Sequence, residues 1–283
     1  MSDRLHFPLK IPVRDDLSLE RIAESGQCFR WQKIGENAYR ALSGERCLYL
    51  RSPAPGSLEA DCSSAEWTEY WEKYLDLSVS YAAIRSLIPH DADPFLFCAA
   101  EREKGIRILR QDPWEALISF IISQNRSIPI IRRSIEMLCE AFGSRRTDAQ
   151  GEPYFAFPTP EALAAAPETA LIGCCLGYRW RYVRAAAQDV AAARLRLDAL
   201  HHLDDPALLD ALTGIYGVGV KVASCAALFG FHRLNVFPVD TWIRRILANE
   251  YPGGYPFSRY APYNGVYQQY MFAYYRHEHG GRA

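Results

Sequence analysis

The sequence predicts an α+β fold, mainly α, with an N-terminal antiparallel β-sheet domain packed on a larger helical core. Three observations carry that prediction. Short strand-like segments broken by turn residues are confined to the N-terminal third. From Asp93 onward, apolar residues recur at helical spacing. Past Leu212, a glycine-rich turn joins two apolar helical patterns. With 283 residues and 49% hydrophobic content, the chain can bury a large core of two or three subdomains. The expected division is 1–91 for the sheet with its flanking helices and 92–283 for the helical core, with a hairpin at 206–230.

The elements follow in order. A helix over 17–24 precedes Gly26. Cys28–Lys33, Ala38–Ser43 and Arg46–Arg51 read as strands, with turns at Gly35-Glu36-Asn37 and Ser43-Gly44-Glu45. From Ser57 the pattern changes to helix, with Trp67, Tyr70, Trp71 and Tyr74 facing the core. Asp93-Pro94 and Asp112-Pro113 read as helix caps followed by proline at the first helical position, and Thr159-Pro160 starts another helix. Trp114–Ser123 is apolar almost all round and predicts a buried helix. It breaks at the polar run Ser123–Ser127 before a helix over 128–142 that Gly143 closes. Gly177-Tyr178-Arg179-Trp180-Arg181-Tyr182 opens a helix reaching Arg194, with Tyr182 in the core. The last helix begins near Tyr263 and turns Tyr270 and Tyr274 inward.

Composition narrows the compartment and the partner. A net charge of -1 does not announce nucleic acid, so any DNA-binding surface is local. The basic residues are mostly arginine, whose fork suits phosphate better than lysine does. Eight scattered cysteines without a CxxC or zinc spacing point to reduced thiols inside a cell. No apolar run is long enough to span a membrane. The adjacent His201 and His202 have no evident acidic or cysteine partner, which argues against a metal site. The short chain without tails or a basic localisation cluster suggests a prokaryotic cytoplasm, and a monomer is expected.

The chemistry concentrates between Leu212 and Arg245. Gly214-Ile215-Tyr216-Gly217-Val218-Gly219 lets a second backbone approach closely, and the following helix directs its free N–H groups out of the turn, a natural seat for phosphate. Lys221 falls in that first turn. An ammonium costs roughly 0.3–1 kcal/mol at a helix N-terminus, so stability does not explain it. A neutral amine there is a nucleophile. Asp240 has the position of an N-cap, a role worth about 1 kcal/mol. An amine and a dipole-held carboxylate together suit attack at a carbon that develops positive charge.

GIYGVGVK followed by FPVD, with GQCFRW upstream, resembles the helix-hairpin-helix DNA glycosylases, and among them the 8-oxoguanine DNA glycosylase/AP lyases. The resemblance covers nearly the whole chain and is loosest over 57–91. It implies a base-excision repair enzyme acting on duplex DNA containing 8-oxoguanine. Lys221 and Asp240 would be catalytic. Gly26, Cys225, Gln268 and Phe272 would hold the base, with Gln269 an alternative reader of its edge. Asn125 would fill the duplex where the base had been, Tyr178 would wedge beside the flipped base, Arg179 would contact the estranged base, and Gly217 and Gly219 would grip the DNA backbone. It implies no catalytic cofactor, and a structural Na or K ion on the carbonyls of Thr213, Ile215 and Val218. Without the resemblance, Gly26 reads as a turn glycine, Asn125 as a helix cap, Tyr178 as a core aromatic and Arg179 as a solvated charge.

One departure stands out. Strictly cytosine-directed relatives carry arginine five residues after the duplex-filling asparagine, and this chain has Ile130. An aliphatic side chain cannot donate to the orphaned base, so relaxed opposite-base preference is expected. Two competing readings are a sister glycosylase for another damaged base and a non-catalytic duplex-binding hairpin protein. GQCFRW with the Gln268/Phe272 pair argues against the first, and the Lys221–Asp240 pair against the second.

Overall fold

The computed structural model describes residues 6–279. Five antiparallel strands form the N-terminal sheet: β1 (Leu9–Pro12), β2 (Trp31–Gly35), β3 (Ala38–Ser43), β4 (Arg46–Arg51) and β5 (Ser57–Ala60), in the order β1-β5-β4-β3-β2. β3 pairs along its whole length with β4, from Ala38 opposite Arg51 to Ser43 opposite Arg46. The helix α1 (Leu19–Glu24) precedes β2 and is capped by the Ser18 hydroxyl, which accepts from the Arg21 N–H.

Two expectations change here. The segment from Ser57 is a strand before it is a helix. β5 pairs with β1 on one side and β4 on the other, and the helical run starts only after the Ser63 cap. Leu58 and Ala60 are fully buried, and four residues were too few to separate a strand from the helix beyond. The first strand of the GQCFRW segment begins at Trp31 rather than Cys28, so Ser25–Arg30 is a shaped loop. That loop joins the two halves of the molecule. Cys28 packs in the sheet's core and Phe29 in that of the helices.

The helical core is built from α2 (Pro94–Arg102), α3 (Pro113–Ser123), α4 (Ile128–Phe142), α5 (Trp180–Ala191), α6 (Asp205–Thr213), α7 (Val220–Phe229), α8 (Thr241–Glu250) and α9 (Asn264–His279), with shorter turns between them. Asp93 and Asp112 cap α2 and α3 as expected, and each helix begins with proline. α3 is buried from Trp114 to Ser123 and forms the centre against which α4, α5 and α7 pack. Gly143 closes α4 in extended conformation rather than the left-handed turn that favours glycine. Its necessity is space: a Cβ would lie 2.0 Å from the Ala156 carbonyl. A small hairpin, β6 (Arg145–Thr147) with β7 (Pro153–Phe155), interrupts the helices where none was expected. Its strands are three residues long and mostly exposed. Asp148 in its turn ties it to the sheet through Arg40 and Tyr49, each at 2.8 Å.

Candidate active site

α6 and α7 form the expected helix pair, with Gly219 as the N-cap of α7. Gly217 is the constrained glycine of the turn. Its φ is +82°, and a Cβ would fall 2.2 Å from the ring of Tyr182. The Gln124 amide donates to the Gly217 carbonyl at 3.2 Å, tying the hairpin to the break after α3. Tyr182 is half-buried rather than in the core. It stands edge-to-face between Tyr178 and Tyr216, with ring centroids 5.7 and 5.2 Å away.

Lys221 is the second residue of α7, and its Nζ lies 5.6 Å from the centroid of the Phe120 ring. Cys225 is one turn further along the same face and is buried. Burial raises its thiol above the ordinary cysteine range, Lys221 opposes that rise and Asp240 adds to it. These three side chains therefore share one electrostatic environment. Asp240 caps α8 through Oδ1, which accepts the Ile243 N–H at 2.8 Å. The cap fixes the carboxylate at the mouth of the cleft, and the second oxygen has no partner among the described residues.

Three connected hollows meet at this pair. A cleft of about 430 Å³ is lined by Gly26, Phe120, Lys221, Asp240, Trp242 and Phe272 among others. An inner recess of about 50 Å³ is lined by Gly26, Lys221, Cys225, Asp240, Gln268 and Phe272, with Gln269 beside them. An outer groove of about 600 Å³ adds Gln124, Asn125 and Arg244. The structure thus brings together all six residues expected to act on the base. Gly26 has φ +77° and lies flush with Phe272, whose Cε1 would sit 3.3 Å from any Cβ. Gln268 and Phe272 project from one face of α9, one turn apart. Gln268 and Gln269 are both buried, and the Gln269 amide donates to Gln268 Oε1 at 3.0 Å. Both therefore remain placed to meet a ligand.

The duplex-facing candidates separate. Asn125 is exposed in the break between α3 and α4, in left-handed conformation at φ +50°. Tyr178 is 49% exposed, not a core aromatic. Arg179 is neither solvated nor open to the groove. It is 4% exposed, and its Nε donates to the Gln124 carbonyl at 2.8 Å. In this structure it braces the loop that carries Asn125, because that loop's carbonyls would otherwise be left unpaired. Tyr270 is fully buried as expected, while Tyr274 is half-buried. Sequence reasoning missed Phe120, Trp242 and Arg276, which also line the cleft. Trp242 follows Asp240 by two residues, a spacing that offered a signal; Phe120 sits in a uniformly apolar helix, which offered none.

At the hairpin, nothing among the described residues donates to the carbonyls of Thr213 and Val218, while that of Ile215 accepts the Val218 N–H at 3.0 Å. A carbonyl keeps a second lone pair, so all three oxygens can still accept. Among the described residues no cluster of His, Cys, Asp or Glu could hold a metal ion, and no helix is long and apolar enough to cross a membrane.

Known proteins are similar to this chain in sequence and in fold. Residues 9–117 match the family model of the 8-oxoguanine DNA glycosylase N-terminal domain, and residues 118–251 that of the HhH-GPD superfamily of base excision DNA repair proteins. The N-glycosylase/DNA lyase of Saccharomyces cerevisiae is 32% identical over 266 residues, covering 84% of this chain and 69% of that protein. The probable N-glycosylase/DNA lyase of Methanothermobacter thermautotrophicus is 31% identical, covering 87% of this chain and 86% of that one. The 8-oxoguanine glycosylase/lyase of Clostridium acetobutylicum, solved with double-stranded DNA containing cytosine opposite 8-oxoG, superposes with a TM-score of 0.87 at 29% identity, over 98% of this chain and all of that one. With both family models matched in order and the pocket residues assembled around Lys221, this chain belongs to the 8-oxoguanine DNA glycosylases of the HhH-GPD superfamily.

Proposed function

We propose that this chain excises 8-oxoguanine from duplex DNA and then nicks the strand. The observation that carries the reading is the convergence of Lys221, Asp240, Cys225, Gln268, Phe272 and Gly26 on one recess. Chemistry at a base in a duplex requires the nucleotide to be extruded. Asn125 and Tyr178, exposed on adjoining loops, fill the gap. Phe272 and Cys225 bracket the base, and Gln268 reads its edge. The Gly26 carbonyl accepts the N7–H that 8-oxoguanine has and guanine lacks. Guanine would bring a second acceptor to the same oxygen, a mismatch that a polar pocket rejects strongly.

The Lys221 amine attacks C1′ of the deoxyribose. The glycosidic bond breaks with its electron pair going to the base, which leaves after taking up the proton shed by the newly attached, positively charged amine. Asp240 stabilises the positive charge that develops on the sugar. The sugar ring then opens, and a Schiff base joins Lys221 to C1′. Loss of a C2′ proton then expels the 3′ phosphate, and water releases the lysine. No step needs a catalytic cofactor. A monovalent cation held by the Thr213, Ile215 and Val218 carbonyls would offset phosphate charge at the hairpin, where Gly219, with open space at its Cβ position, lets the DNA backbone come close.

Borohydride trapping tests the reading. Duplexes carrying 8-oxoguanine opposite each of the four bases should yield a covalent protein–DNA adduct, absent in Lys221→Gln although that protein still binds the lesion duplex. Nicking retained by Lys221→Gln would remove Lys221 from its role.

A further inference from the structure

The loop holding Gly26 is pinned from outside itself, and most of the pins converge on its neighbour Gln27. Gln27 is completely buried. Its Nε2 donates to the Arg107 carbonyl and to the Ser25 hydroxyl, each at 2.8 Å. Its Oε1 accepts the Leu109 N–H at 2.8 Å. The side-chain amide thus completes the pairing of the 107–109 backbone as a neighbouring strand would. From the other direction, Gln111 Nε2 donates to the Gln27 main-chain carbonyl at 2.8 Å. The preceding helix end is held too. Arg132 donates to the Ala23 carbonyl at 2.9 Å and Arg276 to that of Glu24.

Nothing in this network donates to the Gly26 carbonyl, and among the described residues nothing else does. That oxygen belongs to the peptide plane between Gly26 and Gln27. Gly26 alone cannot hold the plane, because a glycine at φ +77° has wide conformational freedom. Fixing the Gln27 side chain and carbonyl fixes the other end of the plane.

We propose that Gln27 is a positioning residue that aims the free Gly26 carbonyl into the recess and so sets the discrimination of 8-oxoguanine from guanine. It rests on the reading of the pocket given above. A misplacement of about an ångström costs on the order of a hundredfold at a reacting site, and one buried acceptor must meet one N–H.

The test separates base recognition from the lysine chemistry. Single-turnover excision of 8-oxoguanine is measured beside strand nicking at a preformed abasic site, which contains no base to read. Gln27→Leu nearly keeps the volume and removes the three side-chain bonds, leaving only the main-chain bond from Gln111. It should lose about ten- to hundredfold in excision, while abasic nicking falls less than about threefold. Gln111→Leu removes only the outer strut in a half-buried position, stays folded where Gln27→Leu does not, and should show the same split more weakly. Equal losses in both steps would reduce Gln27 to a stability element, and no loss in either would dismiss it. An unsubstituted protein that excises guanine as readily as 8-oxoguanine would remove the pocket reading and this proposal with it, an outcome visible without any Gln27 variant.

Discussion

At the scale of single residues, Asp240 carries two functions that can be separated. Its Oδ1 caps α8 through the Ile243 N–H, and its charge faces the sugar in the proposed reaction. Asparagine caps about as well as aspartate. Asp240→Asn should therefore melt within about 0.5 kcal/mol of the parent, yet lose about 10²–10³-fold in excision rate. A melting point that falls in step with activity would show the cap to be the whole of its contribution. Ile130 offers a second residue-scale test. It is 50% exposed in the first turn of α4, so Ile130→Arg adds a donor without disturbing the core. Excision across the four opposite bases should then shift toward cytosine by about 1–3 kcal/mol, and an unchanged pattern would refute the relaxed preference argued from this position.

At the scale of elements, the hairpin depends on a glycine that could be recognised in the sequence but not explained by it. The turn between two apolar helices was legible from Gly214 to Gly219, as were the Asp-Pro helix starts and the all-round apolar α3, because each rests on local chemistry. Tyr182 lying on Gly217 is a contact between distant segments, and nothing local encodes it. The same holds for Arg179, whose inward turn depends on where the Gln124 carbonyl ends up. β1 and β5 were missed because four-residue strands take their shape from their partners. Gly217→Ala follows from the geometry. The added methyl meets the Tyr182 ring at 2.2 Å on a backbone at φ +82°, which should cost about 1–3 kcal/mol or more. Differential melting checks the stability loss. Binding to undamaged duplex should weaken alongside it, since the hairpin and the Tyr178 loop share that ring. A variant with parental melting would show that the turn gives way freely.

At the scale of the whole molecule, the sheet and the helical core meet across a buried acid, Glu115. It sits in the first turn of α3, and its Oε2 accepts the Gly44 N–H at 2.6 Å. Burial raises its carboxyl from 4.5 to about 7, against the opposing pull of Arg30 and of the Gly44 bond. The folded protein therefore holds a proton that the unfolded chain releases near pH 4.5. Between pH 4.5 and pH 7 the folded state binds more protons, so stability falls as pH rises through that window. The full difference corresponds to roughly 3 kcal/mol, lost by pH 8. Glu115→Gln keeps an acceptor for Gly44 and has no charge to bury. Its melting temperature relative to the parent should climb steadily from pH 5 to pH 8, with the variant the more stable of the two at the alkaline end. A difference that stays flat across that range would mean Glu115 is ionised in the folded protein throughout, with Arg30 holding its charge across the junction between sheet and helices.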